Sequence, residues 1–176
     1  MNVLLTEADL RRGVERLASE VKAFYGDAPL TIIGVLTGSL VLVADLIRLL
    51  DLPLRIGFVQ ARSYRGATTV AGTLAIRGEM LPEMRGQHVL LVDDIFDTGR
   101  TLQELLVHLA PLQPATVRSA VLLRKQGRQE VDFVPDHVVF EIPDKFVVGY
   151  GLDYDDLYRQ LPYVATLDEP AQETVP

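Results

Sequence analysis

The sequence predicts an α/β fold in which a mainly parallel, twisted β-sheet is flanked by helices. Short apolar runs rich in β-branched residues alternate along the chain with segments whose hydrophobic residues recur at helical spacing. That alternation is typical of strand–helix–strand units and therefore of a parallel sheet. The 176 residues, 48% of them hydrophobic, are enough for one domain with a buried core.

The predicted elements follow one another with short connections. The first helix covers residues 7–24, and Thr6 is the residue expected to cap it. The other predictions are helices over 40–50 and 100–109, strands over 30–36, 54–61, 73–77, 88–92, 116–123, 138–140 and 146–148, and an edge strand over 163–167. Loops are predicted over 62–71, the flexible tip of a hairpin, and over 93–99, and a frayed acidic tail over 168–176.

The composition excludes several classes of protein. Cysteine is absent from the sequence, so disulfides, thiolate chemistry and cysteine-based zinc sites are excluded. The 17 basic and 24 acidic residues give a net charge of −7, which disfavours a nucleic-acid partner. The longest apolar runs are too short to span a bilayer, and the first 12 residues lack the pattern of a secretory signal. We therefore expect a cytoplasmic protein with no membrane partner.

The strongest chemical signal is the segment VLLVDDIFDTGRTL, residues 89–102. An apolar strand ends in Asp93 and Asp94, which we call the acid pair, and a short turn then leads into a helix. A helix N-terminus suits a phosphate, and the two acids suit sugar hydroxyls or a hard cation. An ordinary strand–loop–helix connection, with Asp97 as the helix cap and solvated acids, gives the same pattern.

This segment closely resembles the phosphoribosyl-pyrophosphate-binding motif of the type I phosphoribosyltransferases. The resemblance implies that the acid pair faces the ribose hydroxyls and that the following turn wraps the 5′-phosphate. The turn comprises Asp97, Thr98, Gly99, Arg100 and Thr101. In purine-specific members of the family, the residue at the position of Asp97 is the proposed general base near N7 of the purine.

Residues 141–154, EIPDKFVVGYGLDY, form a second motif. Taken alone, they predict an edge strand before a glycine-rich loop, with Phe146 in the core. The segment closely resembles the purine-binding stretch of hypoxanthine/guanine phosphoribosyltransferases. That resemblance implies that Phe146 stacks on the base, that the Val147 backbone reads the purine edge, and that Asp153 holds Mg²⁺. Arg159 falls where the family has an arginine near pyrophosphate, and a solvated helix arginine is the alternative.

Lys125 follows the predicted strand over 116–123 and matches the family lysine that donates to the 6-oxo group of the purine. Because a lysine side chain is only a donor, this residue favours a 6-oxo base over a 6-amino base. A solvated loop cation is the alternative interpretation, and the neighbouring Arg124 is a competitor for the same role.

Residues 34–40, GVLTGSL, predict a strand, a small-residue turn and a helix, which a plain strand–helix connection also explains. The segment resembles the pyrophosphate loop of the same family, formed here by Leu36, Thr37, Gly38 and Ser39. The resemblance implies a cis peptide bond between Leu36 and Thr37 and backbone amides that face pyrophosphate. Relatives often have Lys or Arg in place of Thr37, which puts a side-chain cation at this position in doubt.

Ser63 and Tyr64 form a Ser-Tyr pair at the predicted polar loop. The family has such a pair in a flexible loop that closes over the transition state and excludes water. The resemblance therefore implies a catalytic role for both residues.

The four motifs lie between residues 34 and 159 in family order. The resemblance implies that phosphoribosyl pyrophosphate reacts with hypoxanthine or guanine to give IMP or GMP and pyrophosphate, with Mg²⁺ as cofactor. It also implies one domain over residues 1–167, with a core at about 28–135, a purine-binding hood at about 136–167 plus the N-terminal segment, and a homodimer or homotetramer. A xanthine/guanine transferase, a non-catalytic regulatory protein of this fold and a catalytically weakened relative are the alternatives.

Overall fold

The structure is a computed structural model that describes residues 1–63 and 74–167. Its helices are α1 (Glu7–Tyr25), α2 (Leu40–Ile47) and α3 (Arg100–Leu109), and a 3₁₀ turn at Ala110–Leu112 continues α3. Its strands are β1 (Asn2–Leu5), β2 (Leu30–Leu36), β3 (Leu54–Ser63), β4 (Leu74–Arg77), β5 (His88–Phe96), β6 (Thr116–Lys125), β7 (His137–Ile142), β8 (Val147–Val148) and β9 (Val164–Thr166). None of the helices in the described ranges is long and apolar enough to cross a membrane.

Six strands form the main sheet, in the order β4-β3-β2-β5-β6-β7. β3, β2, β5, β6 and β7 are parallel, and β4 pairs with β3 in the antiparallel sense. The predicted parallel sheet is therefore confirmed, as is the hairpin of β3 and β4. Because the five parallel strands run in one direction, their carboxyl ends lie at one edge of the sheet, where ligands bind in open α/β folds.

The two faces of the main sheet bury different residues, because side chains alternate along each strand. Ile32, Leu90 and Leu122 pack in one core with α1 and α2. Their neighbours Ile33 and Leu91 pack in a second core with α3. Helices therefore cover both faces of the sheet, which explains why its central strands are continuous apolar runs rather than alternating ones.

A second, three-stranded sheet brings together strands from the two ends of the chain, in the order β1-β9-β8. Asn2 lies opposite Thr166, and Val164 is fully buried in the core of α1 and α2. The strand predicted over 163–167 is confirmed as β9, but its description as an edge strand is wrong, because β1, which the local sequence does not reveal, pairs along its other side. The division into a core and a hood stays a prediction.

Two strands of the main sheet extend further than the sequence predicts. β5 continues through the acid pair to Phe96, so the first part of the predicted loop over 93–99 belongs to the strand. β6 continues to Lys125, which the sequence placed after the strand. Each extension supports the other, because Phe96 pairs with Arg124 across the ladder. The acid pair is therefore held by a strand and not by a loop.

The helices differ from the predictions mainly at their ends. The cap of α1 is confirmed: the Thr6 hydroxyl accepts from the Asp9 N–H, and the Asp9 carboxylate accepts from the Thr6 N–H. α2 ends at Ile47 and not at residue 50, because the Leu49 N–H donates to the Leu46 carbonyl in a tighter turn.

β3 runs into the predicted polar loop over 62–71 and ends at Ser63. The ladder with β4 continues to that point, where Ser63 lies opposite Leu74. Tyr64, the rest of the loop and the predicted tail over 168–176 lie outside the described residues.

Candidate active site

The segments that contain the sequence motifs meet at the carboxyl edge of the main sheet. Residues 36–39 end and follow β2, Ser63 ends β3, the acid pair lies near the end of β5, Lys125 ends β6, and Phe146 follows β7. This convergence results from the parallel strand order. We call the region of residues 36–39 and the acid pair the loop half of the site, and the region of Lys125 and Phe146 the cleft half.

In the loop half, the acid pair packs directly against Gly38. Asp93 is buried, Asp94 is half-buried, and the Asp93 carboxylate accepts from the Asp94 N–H at 2.9 Å. A β-carbon at residue 38 would lie 1.6 Å from Oδ2 of Asp94. Glycine is therefore the residue that allows the loop after β2 to approach these acids.

Burial is the main reason why the pKa of each acid is raised. The pKa of Asp93 lies well above its usual value, first because the carboxyl is buried and then because Asp94 has like charge. Burial also raises the pKa of Asp94, and the hydrogen bond to Asp93 and the charge of Arg159 oppose that rise. Acids whose ionised forms are disfavoured in this way are stabilised when a cation or hydroxyl donors bind to them.

The turn that follows β8 closes the loop half. Gly151 has a φ of 101°, and a β-carbon there would lie 2.0 Å from the Gly38 carbonyl oxygen. The Gly151 carbonyl accepts from Arg159 at 2.7 Å, and the same guanidinium pairs with Asp153 at 2.8 Å. Asp153 and Arg159, predicted from the second motif, therefore lie beside the loop after β2.

Tyr150 supports this turn from the side of α2, and sequence reasoning did not identify it. It is 6% exposed, and its hydroxyl donates to Asp45 at 2.7 Å. Burial first, and then the hydrogen bond and charge of Asp45, raise the pKa of Tyr150. Because 105 positions separate the two partners, no local pattern indicates the pair.

Residues 36–39 form a turn with one member turned inward. The peptide bond between Leu36 and Thr37 is cis, as the resemblance implies. Ser39 is fully buried, and its N–H and hydroxyl both donate to the Val35 carbonyl, at 3.2 and 2.7 Å. Ser39 therefore shapes the turn from inside, whereas Thr37 is exposed at its surface.

Gly99 fixes the turn between β5 and α3. It precedes the helix with a left-handed φ of 87° and packs against Phe96 and Val131. The alternative interpretation with Asp97 as the helix cap is wrong, because Gly99 occupies that position. Since Gly99 has no side chain, α3 lacks the usual hydrogen bond from its capping residue, and the N–H groups of its first turn suit a phosphate.

The other side chains of this turn have different surroundings. The Thr98 hydroxyl accepts from the Arg100 N–H at 3.4 Å, and Thr101 is exposed. The Arg100 guanidinium pairs with Glu130 at 2.5 Å and points to that partner. Arg100 is therefore better suited to contribute its backbone than its side-chain charge.

Four charged side chains of alternating sign form what we call the charge ring. Arg128 Nε lies 2.9 Å from one oxygen of Asp97, and Lys125 Nζ lies 3.4 Å from the other. Asp144 closes the ring, 3.5 Å from Lys125 and 3.8 Å from Arg128. Lys125 is the most buried member, with 11% of its side chain exposed.

The charge ring borders an open cleft of about 490 Å³. Lys125 and Phe146 line it, together with Asn2 and Thr166 of the small sheet. Phe146 is 48% exposed, so the interpretation as a core residue is wrong. Its ring meets the ring of Tyr154 edge to face, with centroids 5.5 Å apart. An exposed aromatic face beside a buried ammonium group suits a flat, polar heterocycle.

Some predicted residues are not among the described residues that line this cleft. Arg124, the alternative to Lys125, pairs with Glu141 at 3.2 Å and is not among the residues that line the cleft. Val147 is buried in the small sheet, next to Phe146. The Ser63 side chain is not among the described parts of the chain.

Comparison with known proteins identifies the family. Residues 4–155 match the family model of the phosphoribosyl transferase domain. A hypoxanthine-guanine phosphoribosyltransferase of Aquifex aeolicus is 39% identical over 170 residues, which cover 96% of both chains. One of Staphylococcus epidermidis is 39% identical over 166 residues, 94% of this chain and 93% of the relative. The chain belongs to the hypoxanthine-guanine phosphoribosyltransferase family.

Solved structures of this family share the fold. A hypoxanthine-guanine phosphoribosyltransferase of Bacillus anthracis, with HEPES in its active site, superimposes with a TM-score of 0.90 at 34% identity and covers 96% of this chain and 99% of its own. A hypoxanthine phosphoribosyltransferase of Trypanosoma cruzi in complex with the product IMP has a TM-score of 0.88 at 36% identity and covers 96% and 95%. The family fold therefore extends over nearly the whole chain.

Proposed function

We propose that this protein transfers the 5-phosphoribosyl group of phosphoribosyl pyrophosphate to N9 of hypoxanthine or guanine, forming IMP or GMP and pyrophosphate in purine salvage. The observation that carries the proposal is the cleft half, where Lys125 lines the cleft with an exposed Phe146 and lies 3.4 Å from Asp97. A flat base with a 6-oxo group and an exchangeable proton fits these three side chains. The Aquifex and Staphylococcus relatives, which are named for this activity, support the same conclusion.

Each group in the cleft half has a distinct part in base recognition. Lys125 donates to the 6-oxo group, and it disfavours adenine because a 6-amino group is itself a donor. Phe146 stacks on the ring, and the Val147 backbone binds the purine edge. Asp97 accepts or relays the proton near N7 as the bond to N9 forms.

The loop half and the turn before α3 bind the sugar phosphate. The acid pair accepts hydrogen bonds from the ribose hydroxyls, which relieves the cost of its burial. The turn over residues 97–101 holds the 5′-phosphate through backbone N–H groups and the hydroxyls of Thr98 and Thr101. These contacts lie far from C1 of the ribose, the atom that bonds to N9, and they fix the geometry of the reacting atoms.

The acids of the loop half also fit Mg²⁺. They offer the oxygen ligands that this ion prefers, and their raised pKa values mean that a bound cation stabilises them. Asp153, Asp93 and Asp94 would each offer it an oxygen ligand. Substrate oxygens would have to complete the set, because no three metal-binding side chains are already grouped for one ion in ranges 1–63 and 74–167. When bound, Mg²⁺ neutralises the charge that develops on leaving pyrophosphate.

The protein groups that face pyrophosphate are the backbone of Thr37 and Gly38 and the guanidinium of Arg159. Arg159 lies against the turn that touches Gly38, so it supplies a cation that Thr37 lacks. Ser63 and Tyr64 would close over the site and exclude water, since water would hydrolyse the activated ribose.

The alternatives are less well supported. The curated relatives are named for hypoxanthine and guanine, which does not favour a xanthine/guanine transferase. A regulatory protein that binds nucleic acid needs a basic surface, and the net charge here is −7.

A spectrophotometric assay tests the proposal. The protein is mixed with phosphoribosyl pyrophosphate, Mg²⁺ and hypoxanthine, guanine, xanthine or adenine in turn. We expect nucleotide from hypoxanthine and guanine, none after chelation, and a roughly 100-fold loss of kcat in Asp97→Asn. Asp132→Asn, an exposed acid with the same change in charge, is the control. Activity mainly on xanthine, or turnover of no base, would contradict the proposal.

We also propose that the protein is cytoplasmic, that the hood of residues 136–167 with the N-terminal segment binds the base, and that the chain forms a homodimer or homotetramer. Leu40, which begins α2, and Leu49, in the turn after it, are each 46% exposed, and they offer an apolar contact to a second copy. Light scattering on the purified protein would detect such an assembly, and a monomeric mass would contradict it.

A further inference from the structure

We propose that Asp144 and Arg128 are positioning residues that keep Asp97 and Lys125 available to the base. This inference rests on the proposed function, because it concerns how the two base-binding groups are released for the reaction. It assigns a role to the two members of the charge ring that do not themselves contact the base in the proposed mechanism.

The geometry of the ring gives each group two partners of opposite charge. Lys125 lies 3.4 Å from Asp97 and 3.5 Å from Asp144, so neither acid holds it alone. Arg128 bonds Asp97 at 2.9 Å and lies 3.8 Å from Asp144. The two cations are therefore balanced by two acids. If one ion pair of the ring is lost, each of its members still has a second partner of opposite charge.

Because Lys125 is buried, it needs a second counter-charge when it moves away from Asp97. Lys125 is 11% exposed, and a buried ammonium group is costly when it loses its counter-charge. When Lys125 turns to a 6-oxo group and Asp97 turns to the purine proton, their mutual contact is lost. Asp144 then remains beside Lys125, and Arg128 remains beside Asp97, so neither charge is left unpaired.

Removal of Asp144 or Arg128 should leave Asp97 or Lys125 held by two partners of opposite charge. In Asp144→Asn, two cations compete for Asp97, which is then less free to accept the purine proton. In Arg128→Gln, two acids hold Lys125, which is then less free to donate to the 6-oxo group. The double variant Asp144→Asn/Arg128→Gln restores one acid to one cation and should restore function.

Steady-state kinetics with hypoxanthine and phosphoribosyl pyrophosphate test this idea. We expect each single variant to lose kcat/KM for hypoxanthine by roughly tenfold, and the double variant to return to within about threefold of the wild type. The KM for phosphoribosyl pyrophosphate should change by less than about twofold in all three. Asp132→Asn and Arg85→Gln, both exposed, are charge-matched controls, and thermal unfolding checks that each variant is folded.

Losses that add in the double variant, or an equal rise in both KM values, would overturn the inference, because a merely structural role predicts these results. Such results in an active wild type leave the proposed function intact. A wild type that turns over neither hypoxanthine nor guanine removes the proposed function, and the inference with it.

Discussion

The loop half and the cleft half of the site are held in place by different kinds of contact. In the loop half, Gly38 and Gly151 meet backbone to backbone, and the Asp94 carboxylate fills the space where a side chain of residue 38 would lie. In the cleft half, the charge ring joins side chains that are up to half exposed. The half proposed to bind the sugar phosphate is therefore fixed in shape, whereas the half proposed to bind the base can rearrange.

The largest effect is expected from Gly151→Ala, because it disrupts the fixed half. Its β-carbon would lie 2.0 Å from the Gly38 carbonyl, and overpacking of this kind costs about 1–3 kcal/mol. We expect a loss of kcat/KM for phosphoribosyl pyrophosphate of about 100-fold or more. Gly86→Ala is the matched control, since Gly86 also has a positive φ but open space around it. Equal effects of the two variants on enzyme kinetics would contradict the fixed-shape interpretation.

In the cleft half, Lys125→Gln replaces the charged donor proposed for the 6-oxo group with a shorter, neutral amide. A hydrogen bond from a charged group contributes about 2 kcal/mol, so kcat/KM for hypoxanthine should fall about 30-fold while the KM for phosphoribosyl pyrophosphate stays within about twofold. Lys22→Gln, on the exposed face of α1, is the control for the change in charge. An equal fall in kcat/KM for both substrates would show that the two halves do not bind their substrates independently.

A smaller effect, on stability and its pH dependence, is expected from Asp93→Asn. Burial raises the pKa of Asp93, so the ionised carboxylate destabilises the folded protein above its ordinary pKa of 3.8, and this cost shrinks as pH falls from the raised pKa towards 3.8. Relief of this cost would raise Tm near neutral pH, by about 2–4 °C for each kcal/mol of stability gained. Thermal unfolding between about pH 7.5 and pH 4.5 should show the gain narrowing with acidification. A gain that does not depend on pH would contradict this cause.

The smallest effect is expected from Tyr150→Phe, which supports the loop half from outside. Loss of the buried hydrogen bond to Asp45 should lower stability by about 1 kcal/mol and Tm by about 2–4 °C. Tyr154→Phe keeps its ring contact with Phe146, and because Tyr154 is 49% exposed, Tm should not change. Calorimetry of both variants makes the comparison, and an equal shift in Tm would argue against a special role for Tyr150.

Local sequence patterns predicted the order of elements well, because strand and helix periodicity depends on near neighbours. They failed where partners are distant in the chain. The end of β5 at Phe96 depends on a ladder with β6, and β1 is stabilised only by pairing with β9. When only the local sequence is considered, these partners are not known. Acids such as Asp93 then indicate a loop, and the four residues of β1 predict no particular structure.

The candidate site follows the same rule. Resemblance to the family selected Asp97, Lys125 and Phe146 as candidates, because each lies in a recognisable motif. It did not indicate the ring contacts of Asp144 or the support of Tyr150 by Asp45, which arise from packing between separate elements. Gly99 shows the limit of propensity arguments: Asp97 is the better capping residue by type, and yet the chain uses glycine at that position.

The small sheet has a consequence for the order in which parts of the protein fold during synthesis. Asn2 and Thr166 line the same cleft and lie opposite each other in the β1–β9 ladder, although almost the whole chain separates them. The central strands around β2 and β5 are complete in a nascent chain long before β9 emerges from the ribosome. The wall of the cleft therefore forms last, after translation has passed residue 166, so a prematurely terminated chain would contain the loop half without a finished cleft.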